Sequence, residues 1–242
     1  MTLQRSTVSD NTTSAFAGGI TNSSGTVTLT NSTISGNAGD IGGIQTTGPL
    51  TLNNSTITNN SARNPLIRPG GVWIQTGGNL TLANSLIADQ ETGSDCMAQG
   101  VITSAITSNG YNLDSDGTCL DPAVAVASDI PSGIADLAAL ADNGGPTATH
   151  LPQSGSDAID AIPTALAGTQ SPGAAGLDGP QGSDAPNAVC AGTGLTIDQR
   201  GATRPQGSGC DIGSVEAGAP LAVTVGRFLA ATDGDRVVFR WQ

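Results

Sequence analysis

Leu29-Thr-Asn-Ser-Thr-Ile-Ser-Gly-Asn37 and Leu52-Asn-Asn-Ser-Thr-Ile-Thr-Asn-Asn60 align without a gap. So do Leu3-Gln-Arg-Ser-Thr-Val-Ser-Asp-Asn11 and Leu82-Ala-Asn-Ser-Leu-Ile-Ala-Asp-Gln90. Between successive copies sits a second element: Gly18-Gly19-Ile20, Gly42-Gly43-Ile44 and Gly70-Gly71-Val72. The copies begin at Leu3, Leu29, Leu52 and Leu82, which are 26, 23 and 30 residues apart. Such uneven spacing around a fixed pattern suits a stacked architecture whose turns accept insertions.

Within each copy the period is two. Leu or Val alternates with Thr in Val27-Thr28-Leu29, Leu50-Thr51-Leu52 and Leu80-Thr81-Leu82, so each strand has one apolar face and one hydroxyl face. One such rung cannot bury its apolar side, whereas stacked rungs can, like residue above like. Val8, Ile34, Ile57 and Ile87 are expected to form one interior ladder, and Ile20, Ile44 and Val72 another. Asn31, Asn54 and Asn84 recur at one corner, Asn37 and Asn60 at a second, and Asn tolerates the left-handed backbone that corners need. Stacked Asn side chains can also bond along the stack, and the Gly pairs permit tight corners. The expected fold is all-β: a right-handed single-stranded parallel β-helix over residues 1–130, in which the clear repeat fades near residue 95.

The second half is irregular. Cys96 and Cys119 bracket one segment and Cys190 and Cys210 another, and these are the expected disulfide pairs. Closing a loop of about twenty residues is worth ~3 kcal/mol in the chain-entropy model. Residues 132–141 are the one helix-like stretch, and the Gly-, Ala- and Pro-rich run 161–194 reads as a long irregular loop. Residues 131–217 form a C-terminal region. Residues 218–242 read as a β-hairpin turning at Asp233-Gly234, similar to the opening of a fibronectin-type-III-like domain.

Composition narrows the function. The net charge is −12, all eight basic residues are Arg, and 18 of the 20 acids are Asp. Nucleic acid is disfavoured, because its affinity rests on Lys/Arg–phosphate contacts. No stretch reaches the ~18 apolar residues of a membrane span. Two disulfides imply an oxidising compartment, so an extracellular or cell-surface location is expected, with the export signal upstream of Met1. An open first rung would expose an apolar cross-section and unpaired edges, which predicts self-association.

Few residues offer chemistry. Residues 61–69 look like a rung insertion bringing Arg63 and Arg68 near Asp89, Glu91 and Asp95, the one cluster that could serve a lyase or hydrolase. A solvated loop is the preferred reading. Asp114 and Asp116 resemble a fragment of a Ca²⁺ loop, but the further ligands and terminal Glu of such a loop are missing, and a turn is preferred. His150 is the sole His, so any Ser–His–Asp triad must use it; a structural His bonding a nearby carboxylate is preferred. Thr28, Thr51 and Thr81 raise ice binding, for which one column of three is too small.

Two stretches carry a family likeness. Leu140-Ala-Asp-Asn-Gly-Gly-Pro-Thr-Ala-Thr-His-Leu-Pro-Gln-Ser-Gly-Ser-Asp-Ala-Ile-Asp160 is one. Asp198-Gln-Arg-Gly-Ala-Thr-Arg-Pro-Gln-Gly-Ser-Gly-Cys-Asp-Ile-Gly-Ser-Val-Glu216 is the other. They resemble the bacterial secreted β-helix proteins with a choice-of-anchor Q region, often with a CSLREA segment. The resemblance spans about residues 1–217, apart from an insertion at 161–189. It implies a pectin-lyase-like solenoid exported to the surface or beyond, with no established catalytic set. The expected function is therefore non-enzymatic: adhesion or contact with polysaccharide or a surface glycan, without a required cofactor. The alternative is a lyase or hydrolase of acidic polysaccharide, for which Ca²⁺ would be the natural ion.

Overall fold

In a computed structural model, residues 1–165 and 189–218 are described throughout, and 228–233 and 236–241 as backbone. The alternating segments form parallel strands stacked into a β-solenoid of about four turns. The leucine sheet pairs Thr2–Gln4, Val27–Thr30, Pro49–Asn53, Asn79–Ala83 and Ile106–Ser108, in that order. The isoleucine sheet pairs Thr7–Ser9, Thr33–Ser35, Thr56–Thr58, Leu86–Ala88, Leu113–Asp114 and Ile130–Pro131. A third, glycine-led sheet pairs Ile20–Asn22, Ile44–Thr46, Val72–Ile74 and Cys96–Ala98.

Register follows the apolar pattern, because a slip of one residue would turn every Leu and Ile outward. Leu3, Leu29, Leu52 and Leu82 stack, as do Val8, Ile34, Ile57 and Ile87. Ile20, Ile44 and Val72 stack likewise, with Cys96 beneath. The inward members from the second rung on are fully buried and form one core. The strands outlast the clear repeat: Ile106 extends the interior leucine ladder below Leu80, while Leu113 and Ile130 continue the outward column from Leu86, which packs in a second core with Ala158, Ile162 and Ile212.

The corners explain the Asn pattern. Arg5, Asn31, Asn54 and Asn84 follow the leucine strands with φ of 50°, 46°, 44° and 52°. Asp10, Gly36, Asn59 and Asp89 do the same after the isoleucine strands, also at positive φ. Asp89 is thus an exposed corner residue. Just past it runs a directional amide ladder: Asn11 Nδ2 donates to Asn37 Oδ1, Asn37 Nδ2 to Asn60 Oδ1, and Asn60 Nδ2 to Gln90 Oε1. Gln90 Nε2 then donates to Asp95 Oδ1. A carboxyl oxygen suits the last position, because it accepts the Gln90 amide and closes the run.

The Gly pairs serve a different purpose from the one expected of them. None of the six has a positive φ; they are where rungs approach most closely. A Cβ on Gly42 would lie 2.3 Å from Gly70 O, and one on Gly71 2.2 Å from Asp95 O.

Residues 132–141 are not helical. They are held by isolated antiparallel bridges, Leu137 to Pro152 and Ala141 to Thr149. The run is rich in Ala and Leu, yet its backbone groups find partners across the chain, and tertiary pairing overrides a weak local propensity. The only helical turn among the described residues is Ile102–Ala105. Both disulfides join as expected, Cys96 to Cys119 and Cys190 to Cys210. The hairpin pairs Phe228–Asp233 with Arg236–Trp241. Its connection at 234–235, including the Gly234 of the expected turn, lies outside the described residues, as do residues 166–188 of the expected long loop.

Candidate functional site

The isoleucine sheet shows where the C-terminal motifs go. Its outward column begins Thr7, Thr33, Thr56. Thr7 donates to Ala148 O at 2.6 Å and Thr33 to Gln199 Oε1 at 2.7 Å, while Thr56 accepts from the Ser214 amide at 3.0 Å. Residues 191–199 run as a strap up the first corner, one rung at a time. Asn84 Nδ2 donates to Ala191 O, Thr193 Oγ1 donates to Asn54 Oδ1, Asn31 Nδ2 donates to Ile197 O, and Arg5 Nε donates to Gln199 O. These Asn residues therefore reach sideways to the strap rather than bonding one another.

Behind the strap lies a buried charge network. Asp198 holds Arg200 at 2.8 Å, and Glu216 pairs with Arg204. Arg204 also donates to the Asp211 and Gly213 carbonyls at 2.9 and 2.7 Å, and Arg200 to the Glu216 carbonyl at 2.6 Å. Burial pushes the Glu216 and Asp211 carboxyls up, against the pull of Arg204 and backbone donors. Two of the three carboxyls are ion-paired, and Asp211 is held by the Asp160 and Ala217 amides instead, so each buried acid has a compensating donor. The Asp-Gln-Arg-Gly and Asp-Ile-Gly-Ser-Val-Glu stretches form a staple rather than an open site.

The sequence-predicted cluster does not assemble. Arg63 turns to Asp40 at 3.0 Å and to the Ser14 and Thr13 carbonyls at 2.6 and 2.9 Å. Arg68 lies 3.7 Å over the Trp73 ring, a cation–π contact. Glu91 is exposed, Asp89 stands at its corner, and Asp95 is buried elsewhere.

His150 is buried between two elements. Its Nδ1 lies 2.7 Å from the Ala138 carbonyl, which can only accept, so Nδ1 carries the proton. Nε2 then accepts from the Ser35 hydroxyl at 2.7 Å. Burial holds its pKa below the usual imidazole range. The third group of this Ser–His pair is a carbonyl rather than a carboxylate, and Ser35 is itself buried. The arrangement pins residues 138 and 150 to the solenoid wall.

Asp95, Asp114 and Asp116 bring carboxylate oxygens within 4.8 Å of one another. Asp114 stands at an interior ladder position, in register with Ile87, because residues 115–120 fold under the core and their amides need an acceptor. Its Oδ2 takes the Cys119 and Leu120 amides at 2.7 and 2.8 Å, and its Oδ1 the Asp116 amide at 3.3 Å. Asp95 Oδ2 takes the Ser115 amide and hydroxyl at 2.9 and 2.6 Å. Asp116 takes the Thr118 and Asp95 amides, both at 3.0 Å. All six carboxylate oxygens of the trio accept bonds from the chain itself. A Ca²⁺ ion needs six to eight oxygens turned toward it; what the trio forms here is a hydrogen-bonded turn.

Burial, with Asp114 and Asp116 beside it, raises the Asp95 pKa to about 8, and Asp114 is raised as well, again chiefly by burial. With Asp95 raised this far, a proton stays on the pair near neutral pH. A carboxyl raised on folding favours the folded state at low pH, and that advantage is lost as pH rises toward the folded pKa. The melting temperature is expected to fall from pH 5 to pH 9 by about 5 °C, on the scale of 2–4 °C per kcal/mol. Asp114→Asn keeps an acceptor for the Cys119 and Leu120 amides and gives Asp95 a donor, so it should flatten that slope. An unchanged slope in the variant, read by circular dichroism, would remove the pair as its source.

No family model, curated protein or solved structure matches the chain. No helix among the described residues is long and apolar enough to cross a membrane.

Proposed function

We propose that this chain is an extracellular, non-catalytic β-solenoid that contacts carbohydrate, in the manner of the secreted choice-of-anchor Q proteins its C-terminal motifs resemble. The observation that carries this reading is how the polar groups are used. The ionisable residues grouped by the sequence are largely tied into corners, staples and turns, while the outward positions of the leucine sheet repeat hydroxyl and amide groups in register. A repeated polar face offers many weak, geometrically regular hydrogen bonds, which suits a polymeric, hydroxyl-rich ligand. The two disulfides, each bracing an irregular segment, support an oxidising compartment outside the cell.

A glycan array probed with the purified chain, beside a depolymerisation assay on acidic polysaccharides with and without Ca²⁺, tests the reading. Binding without bond cleavage is the expected result. Release of unsaturated or reducing ends above the buffer control would replace it with the lyase or hydrolase reading.

A further inference from the structure

The solenoid's outer faces are not equivalent. The isoleucine sheet is covered by residues 147–150 and 198–214 through Thr7, Thr33, Thr56 and Ser35. The glycine-led sheet presents Thr21, Gln45, Trp73 and Met97, but Arg68 caps the Trp73 ring and Gln45 bonds Gln75 at 2.9 Å. The leucine sheet differs from both. Its strand pairing sets Thr2, Thr28, Thr51, Thr81 and Thr107 in one column, five residues where the sequence alone displayed three. Gln4, Thr30 and Asn53 flank it on one side, Pro49 and Asn79 on the other. The three central threonines are partly exposed and the two outer ones exposed.

Two properties of this face point to its ligand. First, none of its outward residues is charged, in a chain of net charge −12. An acidic polymer would find no cation here and would be repelled by the chain as a whole. Second, the hydroxyls recur at the strand spacing of about 4.8 Å over roughly 19 Å, a repeat near the length of one sugar ring in an extended chain. Each threonine hydroxyl can donate and accept, as sugar hydroxyls do, and β-branched side chains hold few rotamers, so the row is ordered before it meets a ligand.

We infer that the threonine column of the leucine sheet is a binding surface for an extended, neutral polysaccharide, lying along the solenoid axis with successive rings against successive rungs. The inference rests on the carbohydrate-contact reading above and adds the face and the ligand class. One neutral hydrogen bond is weak, so retention depends on several acting together.

The test is a binding isotherm of the full chain on an insoluble neutral β-1,4-glucan, with a polygalacturonate gel as the acidic arm. The triple variant Thr28→Val, Thr51→Val, Thr81→Val removes the hydroxyls and keeps the branched shape, so the sheet should stay intact by circular dichroism. The single variant Thr51→Arg, should the triple fail to fold, places one bulky charge at the centre. The wild-type chain should be retained on the glucan with little salt dependence, and either variant should lose at least about tenfold in affinity. Undiminished binding by a folded variant overturns the inference. So does wild-type binding to the acidic gel alone, which leaves the carbohydrate reading standing. Failure to bind any glycan on gel or array overturns both.

Discussion

Replacing Arg204 by Met should cost about 3–5 kcal/mol of stability, the range for removing one partner of a buried ion pair. The Arg204 and Glu216 side chains are 0% and 1% exposed. Met restores volume but no charge, leaving Glu216 and Asp211 as buried carboxyls without their cation, and the Asp211 and Gly213 carbonyls without their donor. The melting temperature is expected to drop by about 10 °C or more. The double variant Arg204→Met, Glu216→Leu should recover part of that loss, because matched apolar residues can replace a buried pair at small cost. A single variant within about 1 kcal/mol of wild type in urea unfolding would show that the network is dispensable.

Gly71→Ala is the second large effect. A Cβ there would stand 2.2 Å from the Asp95 carbonyl oxygen, which accepts the Val72 amide at 2.8 Å. Backbone on the next rung cannot move without opening the ladder, so a loss of about 3 kcal/mol or more is expected, at the upper end for overpacking. Gly25→Ala is the matched control. Its Cβ meets nothing within 4 Å, and the cost is the left-handed backbone alone, φ 85°, about 1–2 kcal/mol. Equal losses for the two variants would mean that rung approach does not explain the paired glycines.

Much of this was legible in the sequence, for a local reason. Interior ladders depend on period two and on repetition, so Ile34, Ile57 and Ile87 could be stacked from their spacing. Corners were half legible: Asn31, Asn54 and Asn84 announced a turn, but their bonding to a strap more than a hundred residues later left no local trace. The same holds for Asp95, grouped with Arg63 in a solvated loop, and for Asp114, read with Asp116 as a turn: they are the acceptor ends of an amide ladder and of a folded-under turn. Arg63 and Asp89 seemed to share a face because both follow isoleucine strands. Arg63 instead reaches back two rungs to residues 13 and 14, and Asp89 is a corner. The helix-like run 132–141 was misread because Ala and Leu describe a preference, while its backbone partners at 149 and 152 belong to the fold. The threonine column grew from three members to five once register replaced resemblance, since Thr2 and Thr107 lie in rungs whose wording differs.

A stack of rungs pulled at one end would ordinarily unzip, each rung peeling from the next under a force that never has to break more than one contact layer. The strap changes the load path. Residues 191–199 run along the axis and are fastened in turn to the corners of four rungs, but they lie inside the loop closed by Cys190 and Cys210: tension entering from residue 217 passes through the disulfide while it is intact, and meets those fastenings side by side, in shear, once it is reduced. Under a pulling force the reduced chain should therefore give way at a single high rupture, where the oxidised chain, its strap unloaded, should yield a sawtooth of small ones.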